Sequence, residues 1–299
     1  MIKLAACALF ALSMGAAPAF AQSPALWSVS DADTTIYLFG SVHAMPGNPS
    51  WFDGAIRDAY IASDEIAVET VADPTARDPG AERYTKSKLP LRRYLTPPQT
   101  SKLEAALAKI GANRSALDPY KPWYANFMMS MAAMSDSGFS AGSGVEAVLQ
   151  RAADRDGKKI TGIETREHQY SVIDSIPIDA QVRQLDMTIS DPAAVKASAQ
   201  TRVRCWQAGD LACISDAIDR EYQAVPEARE AIIVRRSGVF AHWIADRIKQ
   251  PGTVFVAVGL DHFVGRRSLI EQMAALGFEV RPSEGPQIER HKTRTTATR

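Results

Sequence analysis

Apolar residues along this chain keep two periods, and the switches between them lay out the elements. Leu26-Trp27-Ser28-Val29 and residues 34–39 alternate on either side of a polar turn, Asp31-Ala32-Asp33, which predicts a β-hairpin. A helical period takes over at 52–62, where Phe52, Ile56, Ala59 and Tyr60 share one face, and a short apolar strand follows at 65–70. Strand, loop, helix and strand make a βαβ unit, whose crossover is right-handed. The middle of the chain is mostly helical. Helices are expected at 99–110 (behind a Thr96 N-cap and Pro97-Pro98), 122–134, 145–155, 166–175, 180–190, 195–208, 211–220 and 226–249. The methionines at 128, 129, 131 and 134 read as adaptable core. A short strand at 159–162 interrupts this run. A strand at 253–258, a helix at 269–276 and a strand at 278–281 close the chain. The expectation is an α/β fold with a mixed central β-sheet, flanking helices and a large helical middle region.

Residues 1–21 stand apart. Lys3, an apolar stretch at 4–14 and Ala19-Phe20-Ala21 ahead of Gln22 form a secretory signal peptide. The stretch is too short to span a bilayer, and no later one is long and apolar enough. Cleavage after Ala21 and a periplasmic or secreted protein are expected. One domain then runs over 22–285, and a basic, Thr-rich tail at 286–299 reads as disordered. Basic and acidic residues number 34 each, so no basic face points to nucleic acid. Without Cys7, two cysteines remain. Cys205 and Cys213 flank a turn at Gly209, and an oxidising compartment favours their pairing, with two unrelated buried thiols as the alternative.

Candidate chemistry sits at the strand ends. The first strand runs into Gly40-Ser41-Val42-His43 and the last into Gly259-Leu260-Asp261-His262, so a G-x-x-H signature occurs twice. A third apolar run, Ile66-Ala67-Val68, stops on Glu69. Open α/β sheets bind ligands beyond the carboxyl ends of their strands. If these strands are parallel neighbours, two imidazoles and a carboxylate converge at one rim, a donor set suited to a divalent metal ion. The glycine before each histidine is expected to let the chain turn sharply. Glu69 can also be read as a salt-bridged strand end. His168, His242 and His291 read as structural or solvated. No H-E-x-x-H, G-x-S-x-G or P-loop is present, which argues against zincin, serine-hydrolase and NTPase chemistry.

An ordered series of segments resembles the TraB/GumN family, related to the Tiki metalloproteases. It comprises Tyr37-Leu38-Phe39-Gly40-Ser41-Val42-His43, Ala67-Val68-Glu69, Tyr120-Lys121-Pro122-Trp123, Gly162-Ile163-Glu164-Thr165 with Gln169, and Phe255-Val256-Ala257-Val258-Gly259 with His262. The likeness runs from about Leu26 to Ser283. It implies the α/β fold shared with erythromycin esterase and the haem-binding ChaN proteins. From the animal proteases it implies metal-dependent chemistry by paired histidines and an acidic residue, which fall here on His43, His262 and Glu69. Two positions depart from the family pattern. Arg236 matches the arginine of an Arg-Asn pair, but Ser237 stands at the asparagine, and a hydroxyl cannot reproduce an amide's paired donor and acceptor. Asp261 replaces an apolar residue; it either holds the His262 tautomer or faces solvent.

The functional expectation is an exported metal-dependent hydrolase, a peptidase or amidase acting on a peptide or small molecule. His43, Glu69 and His262 would hold Mn²⁺, Co²⁺ or Zn²⁺. Glu69 is ligand or general base, with Glu164 the other carboxylate. Arg236 either stabilises a developing oxyanion or forms a salt bridge. The rival is a non-catalytic periplasmic binding protein for haem, metal or peptide on the same fold. The sequence leaves the oligomeric state open.

Overall fold

The computed structural model describes residues 23–47, 50–71, 78–135 and 137–286. The expected signal peptide, Cys7, His291 and all but the first residue of the expected tail lie outside the described residues.

The strands are β1 (Leu26–Ser30), β2 (Thr34–Ser41), β3 (Met45–Pro46), β4 (Glu65–Val68), β5 (Phe139–Ser140), β6 (Lys159–Gly162), β7 (Gly252–Gly259) and β8 (Arg281–Pro282). Six of them form one sheet in the order β6-β4-β7-β2-β1-β8, and β3 pairs with β5 in a second, two-stranded sheet. Strands β6, β4, β7 and β2 are parallel, whereas β1 is antiparallel to both β2 and β8. The sheet is therefore mixed. The expected hairpin forms because the Asp31 carboxylate accepts from the backbone N–H groups of Asp33 and Thr34, closing the turn locally.

Both faces of the central strands are buried, and period-two alternation divides their side chains between two cores. Tyr37, Phe39, Ile66, Val68, Phe255 and Ala257 face Trp51, Tyr60 and Trp206 on one side. Ile36, Leu38, Ala67, Val254, Val256 and Val258 face Phe240, Ile244, Leu269 and Met273 on the other. Each fully buried side chain of this size contributes about 1.5–3 kcal/mol through loss of water contact.

Twelve α-helices surround the sheet among the described residues. They are α1 (Gly54–Ala62), α2 (Pro79–Thr85), α3 (Pro97–Lys109), α4 (Pro122–Ser135), α5 (Val145–Asp156), α6 (Arg166–Asp174), α7 (Ile178–Ser190), α8 (Pro192–Gln207), α9 (Leu211–Tyr222), α10 (Pro226–Arg229), α11 (Arg236–Arg247) and α12 (Leu269–Ala275). Leu103 and Leu107 of α3, Met129 of α4 and Leu185 of α7 build a third core away from the sheet. A complete capping box starts α3, with the Thr96 and Gln99 side chains each bonding the other's backbone N–H.

Several expectations need correction. Of the α4 methionines only Met129 enters the core, while Met128 and Met131 are exposed. The single helix expected over 226–249 is interrupted by a π-helical segment, Glu230–Arg235. The closing strand lies at β8, where Trp27↔Pro282 pairing fixes it. Helix α2, capped by the Asp78 carboxylate on the Ala81 N–H, was not foreseen.

Candidate functional site

Strand register brings the three candidate residues to one rim. Ser41 pairs with Gly259 across β2 and β7, and Val68 pairs with Ala257 across β4 and β7. The first G-x-x-H, the residue after β4 and the second G-x-x-H therefore leave the sheet side by side, at its carboxyl edge.

The two glycines serve close approach rather than a sharp turn, because neither has a positive φ. A Cβ on Gly40 would lie 2.6 Å from Leu260 Cδ1. A Cβ on Gly259 would lie 2.9 Å from Glu69 Oε1, 3.4 Å from His43 Nε2 and 3.5 Å from His262 Cδ2. The space above Gly259 is thus the point on which the carboxylate and both imidazoles close. The His262 Nε2 stands 3.8 Å from Glu69 Oε1, beyond a hydrogen bond.

Each imidazole is held at its far nitrogen. His43 Nδ1 lies 2.8 Å from Glu146 Oε1, and that same oxygen accepts from Ser41 Oγ at 2.5 Å. His262 Nδ1 lies 2.9 Å from Ser237 Oγ. The hydroxyl at 237 thereby does a single-bond task in the place where an amide was expected. Asp261 takes no part in this: its carboxylate accepts from Arg202 at 3.0 Å, and Arg202 also pairs with Glu221 on α9. That ion pair ties the second signature to α8 and α9.

Glu69 is saturated. Its Oε1 accepts from the Gly259 N–H at 2.6 Å, and its Oε2 accepts from Arg236 Nη2 and from Gln169 Nε2 at 3.2 Å. Arg236, 4 % exposed, also donates from Nε to Glu164 Oε1 at 2.8 Å. Glu164 Oε2 is in turn 2.9 Å from His168 Nδ1. Arg236 thus spends Nε and Nη2 on two buried carboxylates. His242 bonds the Gly238 carbonyl on its own helix and stays out of the site.

Electrostatics separates the two histidines. Burial, followed by the Arg236 charge, pushes His262 down to about 4 against the ordinary 6.5, so it is neutral near pH 7. Glu146 raises His43 to about 10, although its side chain is 65 % exposed and water screens part of that attraction. Burial alone would raise the Glu69 carboxyl; Arg236, then His43 and His262, outweigh it and hold Glu69 well below the usual carboxylate range.

Among the described residues, no group of three or more His, Cys, Asp or Glu side chains is arranged to hold a metal ion as it stands. The Glu69 oxygens already carry a backbone amide, a guanidinium and a side-chain amide. The imidazoles suit ligation in part: each has Nδ1 engaged by a partner, and Nε2 of His43 lies 3.4 Å from the point over Gly259, whereas His262 turns Cδ2 to that point and keeps Nε2 3.8 Å from Glu69 Oε1. A carboxylate oxygen bonded to one N–H keeps a lone pair for a second partner, so Glu69 Oε1 can complete the set.

Sequence reasoning did not single out Glu146, which follows the Gly142–Gly144 break and reaches His43 only through the docking of α5. Nor did it give a reason for Arg236 and Ser237 to act together. Adjacent helical residues point about 100° apart, yet here one reaches Glu69 and Glu164 while the next reaches His262. A π segment, Glu230–Arg235, lies directly before them, and such segments recur at functional sites.

The model of the TraB/PrgY/gumN family matches residues 25–282, which takes in the whole sheet and every group of the rim. No curated protein and no solved structure matches the chain.

Proposed function

The chain belongs to the TraB/PrgY/gumN family, and we propose that it is an exported metal-dependent hydrolase, a peptidase or amidase, whose site is the rim above Gly259. One observation carries this reading: Glu69 Oε1, His43 Nε2 and the His262 ring all lie within 3.5 Å of a single point over that glycine. His43 and His262 would hold the ion through Nε2, with Glu69 Oε1 as the third donor, and Mn²⁺, Co²⁺ or Zn²⁺ suits such a set. What a bound divalent ion supplies is polarisation of a substrate carbonyl and acidification of water.

The remaining work falls to the chain's own groups. Arg236 keeps Glu69 ionised and in place, which follows the salt-bridge reading of this arginine rather than the oxyanion one. The depressed Glu69 pKa makes it a weak general base, so its part is that of a ligand. His262, neutral and fixed by Ser237, needs no deprotonation before it binds an ion. Support for export comes from the signal features of residues 1–21 and from Cys205 and Cys213, which face each other as a disulfide pair with Cα atoms 5.9 Å apart. Among the described residues, no helix is long and apolar enough to cross a membrane.

Cleavage of a broad peptide library tests the reading, with and without added Co²⁺ or Mn²⁺. Metal-stimulated cleavage that disappears in His43→Ala and His262→Ala is expected. A second reading, a binding protein for haem, metal or peptide, is favoured by one feature: Arg236 engages both Glu69 and Glu164, so neither buried carboxylate of the rim is a free general base. Retention of a tightly bound ion with no cleavage of any library member would select that reading over the hydrolase.

A further inference from the structure

The two imidazoles of the rim are supported by different means. His262 is buried and backed by a neutral hydroxyl, whereas the His43 side chain is 65 % exposed and backed by a carboxylate. An exposed imidazole on a loop has several rotamers open to it, and its Nε2 faces Gly259 only if something fixes the ring.

The start of α5 is built against this loop at several points. The Val145 N–H donates to the Val42 carbonyl at 3.0 Å. Gly144 comes so close that a Cβ there would sit 2.1 Å from the His43 carbonyl oxygen, so only glycine permits the approach. With the main chains docked in this way, Glu146 in the first turn of α5 delivers Oε1 to both His43 Nδ1 and Ser41 Oγ. A carboxylate near a helix N-terminus is stabilised in its ionised form.

We propose that Glu146 is the positioning residue of His43: it binds the Nδ1–H, fixes the ring and so turns Nε2 toward Glu69 and His262, while Ser41 keeps the carboxylate in register. For metal affinity this rests on the proposed metal centre; for the orientation of the imidazole it does not. Carboxylate partners of this kind are typically worth 10–100-fold in metal affinity.

The test uses the full chain and two readouts. The first is the ¹⁵N NMR signal of the His43 ring without added metal, in wild type, Glu146→Ala, Glu146→Gln and Ser41→Ala. The second is Co²⁺ affinity by calorimetry on the same proteins. Glu146→Ala is expected to shift the His43 Nδ1 resonance, to speed exchange of its proton and to weaken Co²⁺ about 10–100-fold, with circular dichroism unchanged. Glu146→Gln keeps an oxygen acceptor, so it should recover part of both signals, and Ser41→Ala should cost less than Glu146→Ala. Should Glu146→Ala not fold, the Gln variant alone decides, because a merely structural glutamate would leave the His43 resonances in place. Unchanged His43 resonances in a folded Glu146 variant overturn the assignment. A wild type that binds no Co²⁺, together with the expected resonance shift in Glu146→Ala, would leave Glu146 as the positioning residue and remove the metal centre instead.

Discussion

At the scale of single residues, His262 is expected to make the protein less stable in acid. A buried histidine with its pKa lowered to about 4 takes up a proton more easily when unfolded, at about 6.5. Between these values the unfolded chain binds more protons, so stability rises with pH through that window and is lost as pH falls. The loss is on the order of 1–3 kcal/mol by pH 4. Denaturant melts from pH 7 to 4 should show it, and His262→Gln should flatten the slope. Glu69 adds to the same trend at lower pH, since its stabilisation is lost as pH drops toward its depressed folded value. Its removal matters more than its protonation. Glu69→Gln leaves the buried Arg236 with one carboxylate instead of two, and a drop of about 3 kcal/mol in unfolding free energy is expected.

The residue level was partly legible. The convergence of His43, Glu69 and His262 followed from strand ends alone, because a parallel sheet puts all such ends on one edge. Which atoms engage each other did not, since Glu146, Gln169 and Ser237 meet the rim from helices whose placement is tertiary. The role of the two glycines was misread for a related reason: a close approach is invisible until the neighbour is known, whereas a turn is a local property.

Among the elements, β7 and the π segment carry the predictions. Gly259→Ala would place a methyl 2.9 Å from Glu69 Oε1, which is pinned by Gly259 and backed by Arg236, so the rim must open. Co²⁺ affinity should fall by more than about 10-fold, as for loss of a ligand's support, with the sheet intact by circular dichroism. Gly40→Ala meets the end of the Leu260 side chain, and its cost should appear as stability, about 1–3 kcal/mol of overpacking, more than as affinity. Deleting one residue within Glu230–Arg235 should convert the π turn to α and rotate Arg236 and Ser237 away together. The deletion variant is expected to melt cooperatively and to lose metal binding; retained binding would show that the π turn is not what aims the pair. The spacing in α1 was readable because Ile56, Ala59 and Tyr60 bury one periodic face, and β2 because it is rich in β-branched and aromatic residues, although both of its faces are buried. The π segment was not, since its apolar pattern continues that of α11 without a break.

Across the whole molecule, two cores grip the central sheet and a third lies off it in α3, α4 and α7. The α/β class was legible from the change of period. The third core was half legible: Met129 joins it, but Met128 and Met131 face out, because an all-apolar helix gives no signal for which side is buried. Cys205 and Cys213 link α8 to α9, and Trp206 next to them donates to the Gly40 carbonyl at 2.8 Å, so this corner buttresses the first G-x-x-H. Thiol titration of the denatured, unreduced protein should find no free thiol from this pair, and removing the bridge should cost about 2–3 kcal/mol; two reactive thiols there would rule the bridge out.

His43 and His262, with Glu69 between them, are proposed to form one divalent-metal site over Gly259. Calorimetric titration of the wild type, His43→Ala and His262→Ala with Co²⁺ tests it most directly. One ion per chain is expected in the wild type, with a large loss of affinity in both variants, while each still folds. Co²⁺ binding that is equally tight in all three proteins would contradict it.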